Sequence, residues 1–160
     1  MWRLKSAGKT GLALVLGLML MNFLGCSSMD HAADSKAYVD KVAPVIFKDW
    51  DTALILAEAD PDLKYFADTN KDAFEKGIQS FKDEVGSMKT YKGATLLGKP
   101  TEGPDKTVTA AYSVEADFEK GTSKIMLTTT LRDGKWKMGI FNLDPQAEMQ
   151  REMKTMTPNP

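Results

Sequence analysis

Among 160 residues the chain holds one cysteine, Cys26, and one histidine, His31. Thiolates and imidazoles bind metals or catalyse in company. One of each leaves no Cys/His set for zinc and no intramolecular disulfide. The carboxylates Asp49, Asp51, Glu58, Asp60 and Asp62 crowd one stretch, but they lack the twelve-residue loop with its Gly and terminal Glu that calcium requires. Helix capping and a solvated face account for them. Met149, Met153 and Met156 recur at helical spacing. Thioethers suit Cu(I), yet no His or Cys lies near them, so an apolar stripe is the better reading. No Ser-His-Asp signature, P-loop, dinucleotide fingerprint or paired-carboxylate motif is present. The expectation is no catalytic, cofactor-binding or metal-ligating residue. Three large aromatics, Trp50, Tyr112 and Trp136, carry two readings. They line a pocket for an apolar ligand, or they fill the core that a small domain must build from its largest side chains.

The address is clearer than the chemistry. Arg3, Lys5 and Lys9 open the chain, an apolar run occupies 11–24, and Gly25-Cys26 follows. Fourteen residues are too few to span a bilayer, and this order of parts describes a secretory signal peptide over 1–25. Phe23-Leu24-Gly25-Cys26 resembles a bacterial lipobox, in which a small residue precedes a cysteine that receives a diacylglycerol thioether. Phe23 departs from the usual Leu but keeps the position apolar. The resemblance implies lipidation of Cys26, a membrane anchor through that lipid, and the lipoprotein processing and sorting machinery as partners. Ser27 stands where Asp would signal inner-membrane retention, so the resemblance places the protein on an outer membrane facing the periplasm, in an organism that has one. The polar residues that follow read as a flexible tether over 26–34, with His31 as an exposed linker residue. The leader holds three of the 21 basic residues and none of the 22 acidic ones, which leaves the mature part at −4. That charge excludes a nucleic-acid-binding face.

Composition suits one globular domain, with 42% hydrophobic and 27% charged residues, and it rules out wholesale disorder. Over 35–144 the periodicity changes once. Tyr38, Val42, Val45, Ile46 and Phe47 recur at helical spacing, with Pro44 expected to kink or restart the helix. Asp49 is expected to cap a second helix carrying Trp50, Ala53, Leu54 and Ala57, which ends at Asp60-Pro61. Phe74, Ile78, Phe81, Val85 and Met88 form the cleanest amphipathic stripe, opened by Asn70. That third helix is expected to lie on the sheet face bearing Val108, Tyr112 and Leu127.

Beyond Lys89 the period becomes two. A strand at 92–99 precedes two alternating runs, Val108-Ala110-Tyr112-Val114-Ala116 and Ile125-Leu127-Thr129-Leu131. Asp133-Gly134 signals a tight hairpin turn into Trp136, Met138 and Ile140, and Gly139 suits a bulge that resets the face for Phe141 and Leu143. Three helices and then four antiparallel strands predict an α+β fold. Residues 145–160 read as a mobile tail.

The opening Asp49-Trp50-Asp51 and the terminal Asp-Gly-Lys-Trp-Lys-Met strand at 133–138 carry a further resemblance. Over 35–144 the chain is similar to the superfamily of nuclear transport factor two, ketosteroid isomerase and scytalone dehydratase. The resemblance implies a cone-like fold, three helices packed on a curved four-stranded sheet, often with a pocket at the wide end. The superfamily hosts enzymes and binding proteins alike, so fold does not give function. Two expectations follow. The first is a non-enzymatic, lipid-anchored cell-envelope protein that binds a partner protein or a small apolar ligand. The alternative is a periplasmic isomerase or dehydratase with a pocket carboxylate that strand alternation does not expose.

Overall fold

The computed structural model describes residues 28–144. Four helices precede an open antiparallel sheet: α1 (Ser28–Ile46), α2 (Thr52–Glu58), α3 (Pro61–Thr69), α4 (Lys71–Val85), then β1 (Met88–Leu96), β2 (Thr101–Glu102), β3 (Val108–Phe118), β4 (Gly121–Arg132) and β5 (Lys135–Leu143). The sheet runs β1-β3-β4-β5, with the two-residue β2 beside β1 on the same edge of β3. The α+β class and the helices-then-sheet order are those the periodicity predicts. One helix and one short strand were not.

The extra helix is α3. Asp60-Pro61 ends α2, but it also starts α3: the Asp60 carboxylate accepts from the Leu63 N–H at 2.8 Å, and Pro61 occupies the first turn. Proline is favoured there because its missing N–H would be unpaired anyway. The cap of α2 also shifts. Asp51, rather than Asp49, accepts from the Ala53 and Leu54 N–H groups. Trp50 therefore lies in the turn before α2, with a positive φ of 56°. Helix α1 reaches back to Ser28, through most of the stretch read as a tether, and continues past Pro44 to end at Ile46. Cys26 and residues 145–160 lie outside the described residues.

The buried face of α1 is Ser35, Val39, Ala43 and Ile46; of the expected stripe, Ile46 and Phe47 are buried, Tyr38 and Val42 pack partly buried against the core, and Val45 faces out. Val45 is 55% exposed. Small Ser35 and Ala43 let α1 approach the sheet, where it packs on β1 and β3. Both α1 and α4 cover this sheet face: α1 lies over Tyr112, and Phe81 of α4 meets Phe141, the cross-strand neighbour of Leu127. The stripe Phe74-Ile78-Val85 of α4 is buried, but α4 packs mainly on α3.

The strands follow the predicted alternation. Every second residue of β3 from Val108 to Phe118 is buried, as are Ile125, Leu127 and Thr129 of β4. Asp133 and Gly134 both take positive φ, which closes the β4–β5 hairpin with a two-residue turn. The register slips between Leu127 and Thr129, which face Phe141 and Met138, so β5 carries one extra residue at Gly139–Ile140. This bulge turns Phe141 and Leu143 inward and leaves Ile140 72% exposed, outside the face expected for it. Gly139 suits this close approach: a Cβ would meet Thr128 Oγ1 at 2.6 Å.

Candidate functional site: an apolar groove between α3, α4 and the edge of β5

Strand β5 is the sheet's last strand, and its free edge is paired only in part. Ala59 makes a parallel bridge to Met138, and the Asp60 N–H donates to the Met138 carbonyl at 2.7 Å. Beyond that point the strand meets α3 and α4 at a groove of about 440 Å³. Leu63 and Phe66 of α3 form one wall, and Phe74, Ile78 and Phe81 of α4 form the other. Ile140, Phe141 and Asn142 of β5 supply the floor. Phe66 is 49% exposed, although its ring meets Phe74 edge-on at 6.4 Å. The polar groups on the lining are Asp62 and Asn142. The volume lies within the range of small-molecule sites, and so does an apolar wall with few polar groups.

Helix α4 is held to the sheet chiefly at its C-terminal end. The Val85 carbonyl accepts from the Lys120 N–H, the Ser87 carbonyl accepts from the Glu119 N–H, and the Asp83 carbonyl accepts from the Lys120 ammonium. Trp50 Nε1 donates to the Gly86 carbonyl at 2.9 Å. Toward its N-terminus, α4 packs on α3, and the groove opens between them.

None of the three aromatics singled out by the sequence lines this groove. Trp50 is buried among Phe47, Phe81, Phe118 and Phe141, with ring centroids 5.1–6.5 Å away. Tyr112 is fully buried beneath α1, and its hydroxyl shares a 2.5 Å hydrogen bond with Ser35 in which either oxygen can donate. Burial raises its pKa above the ordinary phenol value. Trp136 is half-buried and meets the His31 ring edge-on at 6.4 Å, so His31 belongs to α1 packing and is no linker residue. The structure does not bring Trp50, Tyr112 and Trp136 together. The groove's own residues were legible only in the α4 stripe, which the sequence assigned to the core.

The isomerase-type reading required a carboxylate that alternation hides, and one exists: Asp60 is 4% exposed. Both its oxygens are engaged, Oδ1 by the Leu63 N–H and Oδ2 by the Thr130 hydroxyl at 3.1 Å. It fastens α3 to the sheet, away from the groove lining. Asp62 does line the groove, but it is exposed to solvent. Proton abstraction needs a base within reach of a substrate in a water-excluding site. The observed geometry suits binding better.

A second polar cluster joins α1, α2 and β5. Tyr38 donates to Glu58 Oε2 at 3.1 Å, and Lys137 pairs with the same carboxylate at 3.5 Å. Burial, then the Glu58 charge, pushes the Tyr38 pKa well above its ordinary value. Tyr91 likewise donates to Asp40 at 2.6 Å, which ties β1 to α1. Among the described residues no group of three or more His, Cys, Asp or Glu is placed to hold a metal, and no helix is long and apolar enough to cross a membrane. Neither a family model, nor a curated protein, nor a solved structure matches this chain.

Proposed function

We propose that this chain is a lipid-anchored protein of the bacterial cell envelope, held by an acylated Cys26, that binds a small apolar or amphipathic molecule in the α3–α4–β5 groove without converting it. The groove carries this reading: about 440 Å³ walled by Leu63, Phe66, Phe74, Ile78 and Phe81. The apolar surface that Phe66 and Ile140 leave in water gains favourable free energy when a ligand covers it, ~25 cal/mol for each Å². Asp62 and Asn142 can orient a polar end of the ligand. The order of basic start, apolar run and Gly25-Cys26 supports the anchor. A family place beside the nuclear transport factor two superfamily fits the helices-then-sheet order, and it is part of the same proposal.

Two experiments test the reading. Titration with cis-parinaric acid should give saturable fluorescence enhancement that Ile140→Asp abolishes. Absence of saturable binding, with an envelope protein captured instead, transfers the reading to a protein partner. For the anchor, an alkyne fatty acid should label the native chain. Label that persists in Cys26→Ser would contradict it.

A further inference from the structure

Three large side chains of α4 line the groove along its length: Phe74, Ile78 and Phe81, at positions i, i+4 and i+7. The sequence repeats that spacing once beyond the described fold, in Met149, Met153 and Met156. On α4 this stripe covers about 10 Å, and the methionines are spread over the same number of residues. The chain leaves the described fold at Asp144, two residues past Asn142 on the groove floor. Met149 lies five residue steps beyond Asp144, enough to reach ~17 Å when extended. The segment therefore starts beside the groove and has the reach to enter it.

The chemistry matches as well as the spacing. Three of the groove's lining residues outside the floor are phenylalanines, Phe66, Phe74 and Phe81. Methionine is the side chain that best fills an irregular apolar gap, and its sulfur makes favourable contacts with aromatic rings. Glu148, Gln150, Arg151, Glu152 and Lys154 separate the methionines and would keep the opposite face in water.

We propose that the segment 146–156 seats Met149, Met153 and Met156 in the α3–α4–β5 groove and competes there with the apolar ligand. This regulation rests on the reading of the groove as a binding site. A ligand must then displace the segment, and its apparent affinity falls by the fraction of time the groove is free. A groove covered nine-tenths of the time weakens binding about tenfold.

Disulfide trapping tests the contact directly. Gly77 lines the groove, and a Cβ there meets nothing within 4 Å, so Gly77→Cys should be accommodated. In the full-length chain with Cys26→Ser, Gly77→Cys combined with Met153→Cys should oxidise to an intramolecular disulfide whose yield does not depend on protein concentration. The pair Thr122→Cys with Met153→Cys serves as the distant control. A cross-link found only between two chains, or equal trapping in the control, overturns the proposal, the former in favour of a second copy in the groove.

Ligand binding separates this proposal from the one beneath it. Met149→Asp, Met153→Asp and Met156→Asp together should tighten cis-parinaric acid about tenfold. Trapping without probe binding in either form leaves the segment's docking in place and removes the ligand reading and the competition with it. Equal probe binding in both forms, with no trapping, removes the proposal and keeps the ligand reading.

Discussion

The two sides of this domain bury the same kinds of residue to different ends. On the α1 side, Ser35, Val39 and Ala43 are small enough for the helix to lie close on β1 and β3, and the interface is closed. Its polar atoms find each other, Ser35 with Tyr112 in the core and Tyr91 with Asp40 nearer the rim. On the α4 side the stripe is Phe74, Ile78 and Phe81, and these large side chains meet α3 and the rim of β5. Apolar surface remains uncovered there, with Phe66 and Ile140 standing in water. Side-chain size along a helix face decides whether it seals the sheet or leaves a groove beside it. The sealed side ties α1 to the sheet, and the open side leaves the groove that the proposed ligand would fill.

The contrast breaks first if the aromatic cluster is not the stabilising centre. Trp50→Ala should cost about 3–5 kcal/mol, because the ring touches four phenylalanines and its N–H pairs with Gly86. Phe66→Ala, in the open wall, should cost no more than ~1 kcal/mol. Urea unfolding of both variants measures the difference, and equal losses would erase the distinction.

Gly139→Ala probes the bulge that turns β5 toward the groove. Its Cβ would press on Thr128 Oγ1, so a loss of about 1–3 kcal/mol is expected. Adding Thr128→Ala should recover part of it. No recovery would mean that the backbone, rather than the hydroxyl, sets the limit.

Asp60→Ala removes the α3 cap and the Thr130 bond and should cost ~1–2 kcal/mol. Because α3 forms one wall, probe binding in the groove should weaken along with stability. An intact groove in a destabilised variant would show that α3 is placed by its apolar contacts alone.

The smallest effect is a pH dependence on the sealed side. Burial first, then partner carboxylates, raises the pKa of Tyr38 and Tyr91, and burial raises that of Tyr112. The folded state thus holds these protons more tightly than the unfolded state does. Their contribution is complete below the ordinary phenol value of ~10 and is lost as pH rises beyond it. Burial works against Asp40, but hydrogen bonds from Lys36 and Tyr91 outweigh it and keep its pKa below the usual value. Its contribution is present above ~3.9 and is lost as pH falls through the lowered value. Tyr91→Phe should reduce both the alkaline and the acid sensitivity of thermal unfolding.

The strands were legible because each presents one face to the core, so alternation in β3 and β4 maps directly onto burial. The Asp133-Gly134 turn was legible because its positive φ angles restrict residue choice, and the Gly139 bulge because a side chain there would press on Thr128. Helix α3 was not. Asp60-Pro61 is both a stop and a start, and Leu63 and Ala67 are its only buried residues. The α1 face was legible in part: Ile46 and Phe47 are buried as expected, whereas close packing also buries Ser35 and Ala43 and leaves Val45 exposed. The groove was hidden for a related reason: a stripe such as Phe74-Ile78-Phe81 looks the same whether its partner is the sheet or a ligand. Which of these it meets depends on how α3 and β5 converge, and no local pattern encodes that.

Residue-resolved NMR during titration with dodecanoate tests the central claim most directly. Saturable shifts of the backbone amides of Gly77, Ile140 and Asn142, with little change at Ser35, Tyr91 and Tyr112, would place the ligand between α3, α4 and β5. Shifts centred on Trp136 and the α1 side, or no saturable shift at all, would contradict it.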